Sequence, residues 1–256
     1  MSTALADTAT LTRRSMTHIL RSPDTIITTA LMPIAFLLLF VFVFGGAIDT
    51  GAGVGADGYV DYLLPGILLI TVASGVSYTA YRLFLDVQGG MVERLRSMPI
   101  ARSSILWAHV LTSLAANLVA VALVIGVALL LGFRSGAGVG AWFAVAGLVA
   151  LFTLALTWLA VIPGLTAKSV DAAGAFSYPL IFLPFLSSAF VPTDSMPGPV
   201  RWFAENQPVT AIVDAIRALL AGEPVGAELG LALAWMAGIL VVAAGVATVL
   251  WRRRTR

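Results

Sequence analysis

Six stretches of this 256-residue chain run for twenty residues or more without an Asp, Glu, Lys or Arg: 25–48, 62–81, 103–133, 139–167, 172–191 and 229–251. A helix needs about 20 apolar residues to cross the hydrocarbon core of a bilayer. In lipid the backbone amides of each segment must be paired within it, so the runs are expected to be helices. A closed barrel would show alternating segments of about 10 residues, and none is evident. The fold expected is therefore all-α: one polytopic membrane domain, 1–256, with six transmembrane helices. Composition agrees, with 59% hydrophobic and 11% charged residues, against about 25% charge in a soluble domain. That excludes an ordinary water-soluble enzyme and a disordered chain alike. The first 24 residues lack the apolar centre of a secretion signal, so none is expected.

The basic residues set the expected orientation. With the amino terminus in the cytoplasm, the inner segments hold twelve of the fifteen Lys and Arg, and the outer ones keep Arg134, Arg201 and Arg217. The positive-inside bias then places both termini in the cytoplasm. The terminal Arg252, Arg253, Arg254 and Arg256 act as a stop at an anionic leaflet rather than as a nucleic-acid site, and no nucleic-acid partner is expected.

Three connecting pieces are more than linkers. Residues 3–21 place Leu5, Ala9, Met16, Ile19 and Leu20 near one face, the pattern of an amphipathic helix lying in the inner interface. Residues 82–102 carry four Arg and two acids. Within them Met91, Leu95 and Met98 share a face at helical spacing, and Pro99 ends the turn. That leaves Glu93, Arg94 and Arg96 pointing outward, suited to a soluble partner. Residues 192–228 hold five prolines and two short apolar patterns, neither long enough to span. They are expected to form a re-entrant outer helical hairpin between spans five and six, with Asp214 and Arg217 spaced to meet at i, i+3.

Sites for chemistry are scarce. A phosphate-binding loop needs Gly, four residues, then Gly-Lys-[Ser/Thr]; Lys168 does precede Ser169, but Ala167 stands where the glycine belongs. The chain is not expected to hydrolyse nucleotide. Gly51, Gly53 and Gly55 make a flexible turn between spans. An intramembrane serine protease would pair Ser77 with His109, yet no carboxylate is evident to orient the imidazole; Ser77 is better placed for an interhelical hydrogen bond, and Gly75 for close helix approach. With no cysteine and two histidines, no metal site and no bound cofactor are expected. The spans hold almost no charge, which argues against ion coupling. Energy for any transport must then come from another chain.

The order of parts resembles the membrane subunit of type 2 ABC exporters, the ABC-2 permeases. Glu93-Arg94-Leu95-Arg96-Ser97-Met98-Pro99-Ile100 is similar to that family's coupling segment. Leu183-Pro184 through Ser188, Phe190 and Pro192 resembles its exit from span five. Met196-Pro197, then Asn206, Pro208 and Thr210, resembles its outer hairpin, with Gln207 inserted where Asn-Pro is common. Among such permeases the closest look is to the daunorubicin-resistance type. The resemblance implies a plasma-membrane protein of bacteria, a permease dimer, most simply a homodimer, joined to two copies of an ABC ATPase subunit that bind the ATP and Mg. It implies export of hydrophobic or amphipathic small molecules, drugs and antibiotics among them. The same machinery exports lipid or polysaccharide precursors, and a non-transport assembly protein is the alternative of another class. Glu93, Arg94, Leu95, Arg96 and Met98 are then the expected ATPase contact. Ser74, Tyr78, Phe182, Phe185, Ser188 and Phe190 are the expected substrate pathway, with Phe185 and Phe190 placed to gate its outer end by dewetting.

Overall fold

A computed structural model describes residues 8, 10–13, 23–44, 58–90 and 102–254. Among them the secondary structure is helical throughout. Helix α1 spans Pro23–Leu39 and passes into a π-helical turn, Phe40–Phe44. Helices α2 (Tyr59–Gln88), α3 (Arg102–Leu130) and α4 (Val139–Thr166) follow. Two short helices come next, α5 (Val170–Ala175) and α6 (Ser177–Phe182), and then a 3-10 turn, Leu183–Leu186. After a second 3-10 turn, Thr193–Ser195, come α7 (Gly198–Asn206), α8 (Pro208–Ala221) and α9 (Ala227–Arg254). Four helices, α2, α3, α4 and α9, are long and apolar enough to cross a membrane; α1 and the α5–α6 stretch are shorter apolar helices. Most of 3–21, all of 49–57 and most of 82–102 lie outside the described residues.

Helix α2 is the centre. In its most apolar window 83% of residues are buried, against 17% for α9. It packs against α1, α3, α4, α5, α6 and α8. A helix apolar on all sides is one surrounded by protein or lipid; in α2 the surround is largely protein.

Between apolar helices in lipid, hydrogen bonds and close packing hold the bundle together. Here the Thr79 hydroxyl of α2 donates to Ser113 Oγ of α3 at 2.8 Å. Ser113 Oγ in turn lies 3.1 Å from Thr157 Oγ1 of α4. Asn117 Nδ2 donates to the Ser113 carbonyl at 2.9 Å. All four side chains are buried, so three helices share one internal polar knot. Gly75 lies directly against the Asn117 carboxamide; a Cβ at that position would collide with it. Gly75→Ala is therefore expected to destabilise by about 1–3 kcal/mol, the range for overpacking. Gly126→Ala, where an added Cβ meets nothing, is the control and should be neutral. Melting of both purified variants, read by size-exclusion loss, checks this; equal melting would remove the close approach as a packing determinant.

The fifth apolar run differs from a single span. Pro179 and Pro184 lack the N–H groups that a continuous helix would send to residues 175 and 180, and the run breaks into α5, α6 and the 3-10 turn. Carbonyls at the end of the run are met by side chains. Gln207 Nε2 donates to the Leu186 carbonyl at 2.9 Å and reaches the Leu183 carbonyl at 3.4 Å. Ser187 Oγ donates to the Pro184 carbonyl at 2.6 Å. Irregular backbone among apolar helices is tolerated where protein satisfies it in this way.

Helices α7 and α8 fold back on one another at Gln207, and the Thr210 hydroxyl donates to the Ala204 carbonyl across the corner. Arg201 bonds Glu205 Oε1 at 2.7 Å and pairs with Asp194. The hydrogen bond to Glu205, then the field of Asp194, hold the Arg201 guanidinium charged more firmly than usual. Helix α8 buries Val209, Ile212, Val213, Ile216 and Leu220 against α2, α4 and α9. It ends at Gly222, whose φ of +77° is a left-handed cap.

Candidate functional site

Four features concentrate chemistry or space within the bundle. The first lies where α8 meets the start of α2 and the end of the broken run. Asp214 and Arg217 form the i, i+3 pair at 2.6 Å. Ser188 Oγ donates to Asp214 Oδ1 at 2.7 Å. Arg217 Nη2 donates to the Ser188 carbonyl at 2.8 Å and to the Tyr62 carbonyl at 3.3 Å. The Tyr62 hydroxyl donates to the same Ser188 carbonyl at 2.9 Å, and the guanidinium sits 4.0 Å from the Tyr62 ring centroid. One ion pair thus ties three separate segments into a latch. Charge-assisted bonds of this kind are the strong ones, and cation–π attraction grows when the pair is partly desolvated.

The second is an aromatic cluster beside the latch. Phe190 stacks on Phe185 at 4.8 Å and on Phe40 at 4.7 Å between ring centroids. Phe36 meets Phe185 edge-on at 5.8 Å, and Phe182 lies 6.2 Å from Phe185. The π-helical turn that follows α1 is what brings Phe40 to the stack.

The third is a cavity of about 470 Å³ bounded by α4, α6, α8 and α9. Phe152, Leu156, Leu183, Val209, Trp235 and Ile239 are among its walls, and no charged residue lines it. Sites for small ligands have volumes of about 300–1,000 Å³ and mostly apolar walls.

The fourth is the partly open face of α2. Ser74, Ser77, Tyr78, Tyr81 and Arg82 are half-buried, while Gly75, Val76, Thr79, Ala80 and Leu83 between them are buried. Ser77 Oγ donates to the Gly174 carbonyl of α5 at 3.4 Å, the interhelical role its sequence setting suggests. One turn beyond Arg82, Asp86 pairs with His109 Nε2 of α3 at 3.1 Å. The sequence offers no carboxylate for His109; the structure supplies Asp86, from the far end of α2, and Ser77 is bound to α5 instead.

The sequence-predicted pathway residues fall into separate places. Ser74 and Tyr78 stand on the open face of α2. Phe185 and Phe190 are in the aromatic cluster, with Phe190 only 3% exposed. Ser188 is held by Asp214, and Phe182 is 62% exposed on the outside of the bundle. None of the six lines the cavity, whose contribution from the same run is Leu180 and Leu183. Glu93, Arg94, Leu95, Arg96 and Met98 lie outside the described residues. Sequence reasoning missed Tyr62, Tyr81 and the Ser113–Asn117 pair. The α3 polar residues His109, Ser113 and Asn117 recur at four-residue spacing inside an apolar run, and that stripe was the available signal. Among the described residues no three His, Asp or Glu side chains converge as metal ligands would.

A bundle of apolar helices with an internal polar knot, an ion-pair latch and a ligand-sized apolar cavity is the build of a membrane-embedded protein. The sequence pattern of the ABC-2 type transporter family matches residues 6–221, and the chain belongs to that family. It is 30% identical over 261 residues to the daunorubicin resistance ABC transporter permease protein DrrB1 of Streptomyces coeruleorubidus, covering 98% of this chain and 88% of that one. It is 28% identical over 252 residues to the "Probable doxorubicin resistance ABC transporter permease protein DrrC" of Mycobacterium tuberculosis, covering 97% and 89%.

Proposed function

We propose that this chain is the permease subunit of an ATP-driven ABC exporter that moves hydrophobic or amphipathic compounds, drugs and antibiotics among them, out of the cell. The observation that carries this reading is likeness over nearly the whole chain to two permeases named for resistance to such compounds. The uncharged cavity among α4, α6, α8 and α9 suits the same chemistry.

A separate ABC ATPase, in two copies, supplies the energy, and the permease works as a dimer, most simply with a second copy of itself. ATP and Mg belong to the ATPase. The chain sits in the plasma membrane with both termini in the cytoplasm, six spans, an interfacial amino-terminal helix and an outer hairpin formed by α7 and α8. Glu93, Arg94, Leu95, Arg96 and Met98, in the 82–102 loop, form the contact to the ATPase. Closure of the ATPases pushes on that loop and so on the adjoining ends of α2 and α3, which the Asp86–His109 pair clamps together. Ser74 and Tyr78 on α2 border the inner part of the substrate path. Phe185 and Phe190 close its outer end, and the Ser188–Asp214–Arg217 latch holds that closure.

Two measurements test this. Cells carrying the permease and its ATPase should survive higher concentrations of an anthracycline than cells lacking either. Unchanged susceptibility to every amphipathic drug tried would overturn the substrate assignment. Glu93→Ala should keep normal expression and membrane insertion while drug-stimulated ATP hydrolysis falls about tenfold, the equivalent of roughly 1.4 kcal/mol of lost coupling. Wild-type stimulation in that variant would remove Glu93 from the contact.

A further inference from the structure

The cavity bounded by α4, α6, α8 and α9 has a closed back and an open mouth. Phe152, Leu156 and Val209 at the back are buried, whereas Trp235 and Val242 on α9 are 41% and 66% exposed. Protein covers only 17% of the most apolar window of α9, so the mouth gives onto lipid rather than water. Along α9 the walls run from 235 to 243, about 12 Å of helix. The 470 Å³ held within that length is a short, broad space. Gly238 adds to its breadth: the residue lines the cavity, and a Cβ at that position would meet nothing. Lipid chains are as apolar as these walls, so hydrophobicity alone selects no occupant. Shape and ring contact do. A flexible chain loses rotamer freedom when it is held in a short pocket, and a rigid ring system has none to lose. The rings of Phe152 and Trp235 offer faces and edges to an aromatic neighbour. No charged residue lines the cavity, so a cationic end stays outside, at the mouth.

We propose that this cavity is a loading site that takes the flat, fused aromatic body of an amphipath directly from the bilayer, and that Gly238 and Trp235 set which bodies fit. Amphipaths with one flexible chain in place of the rings are disfavoured, even when they carry the same cationic end. This rests on the exporter reading and narrows the class of compound that the exporter carries.

The test uses the full permease–ATPase complex in lipid nanodiscs without nucleotide, with bound doxorubicin read by its fluorescence anisotropy. Two cations serve as displacing probes: 9-aminoacridine, a flat fused ring system, and dodecylamine, a flexible chain. In the wild type the acridine should displace doxorubicin at a concentration at least about tenfold lower than dodecylamine. Gly238→Leu fills the open space with a better helix former. It should weaken doxorubicin binding about tenfold, the low end of what one methylene is worth in a fitted apolar pocket. Gly230→Leu on the same helix is the control. An added Cβ there also meets nothing, the position lies outside the cavity walls, and affinity should stay within about twofold of the wild type. Equal effects of the two Leu variants would overturn the proposal. Dodecylamine displacing as well as the acridine would also overturn it, and would make the cavity a lipid-chain groove. ATP-driven movement of doxorubicin is measured separately in vesicles. Binding that depends on Gly238 with no ATP-driven movement would sink the exporter reading and leave this site standing, whereas movement and binding both untouched by Gly238→Leu would do the reverse.

Discussion

Asp214→Ala is expected to cost more stability than the double substitution of Asp214 and Arg217 by Ala. The single change leaves a half-buried guanidinium without its carboxylate and removes the acceptor of the Ser188 hydroxyl. The double change removes the charge together with its partner, which is the less damaging way to take out a desolvated pair. Side-chain exposures of 33% for Asp214 and 23% for Arg217 place the pair between two limits. Breaking a fully buried pair costs about 3–5 kcal/mol, and an exposed pair is worth about 0–1 kcal/mol. A loss of about 2 kcal/mol for the single variant follows, roughly 5 °C in melting temperature for a chain of this length. Arg217→Ala alone should fall near the single Asp214 variant, because the Ser188 and Tyr62 carbonyls lose their shared donor. If all three variants melt with the wild type, the latch carries no weight. If the double variant is as poor as the sum of the singles, the groups act independently and the three-segment account fails.

Phe190→Ala is the second large effect. In a water-soluble core a Phe→Ala change costs about 3–5 kcal/mol, part of it the return of apolar surface to water. Beside lipid that part shrinks, because the reference phase is itself hydrocarbon. What remains is the cavity and the loss of two ring stacks, those with Phe40 and Phe185, each worth about 0.5–1.5 kcal/mol beyond area. About 2–3 kcal/mol is the net expectation. Phe190→Leu fills most of the volume without the stacking and should fall halfway. In proteoliposomes the Ala variant should also raise passive leak of a hydrophobic dye several-fold in the absence of ATP. A tight, wild-type-stable Ala variant would show that the stack neither packs nor seals.

Much of the helical pattern is legible in the sequence because lipid imposes so simple a condition: uncharged, long enough, internally bonded. The third run, expected at 103–133, is helix over Arg102–Leu130, and the fourth, expected at 139–167, is helix over Val139–Thr166. The second run is a harder case. Charge stops the expectation at 81, but α2 continues to Gln88, since helices outlast the hydrocarbon once Arg82 and Asp86 find partners or an open face. The fifth run was readable as apolar but not as broken. Its two prolines were visible; what could not be seen was that Gln207, far along the chain, would donate to the Leu183 and Leu186 carbonyls at the end of the run. Pairing across helices is the part that spacing does not encode. Asp214 with Arg217 is local and could be expected. Ser188 with Asp214, and Asp86 with His109, depend on which helices become neighbours. Burial also divides residues of one type, since Phe182 faces outward and Phe190 inward although both lie in one apolar run.

The uneven burial of the helices implies an uneven tolerance of mutation. Helix α9 is in the main held from one side, by α4 and α8, and only 17% of its most apolar window is covered by protein. Exchanges there among Leu, Val, Ile and Ala should pass a selection for drug survival with little penalty, so a saturation library would return many survivors from α9. Helix α2, with 83% of its window enclosed, offers few such free positions, and the permitted ones should follow the period of its single open stripe. Related chains can therefore diversify at the rim of the bundle long before they can alter its axle.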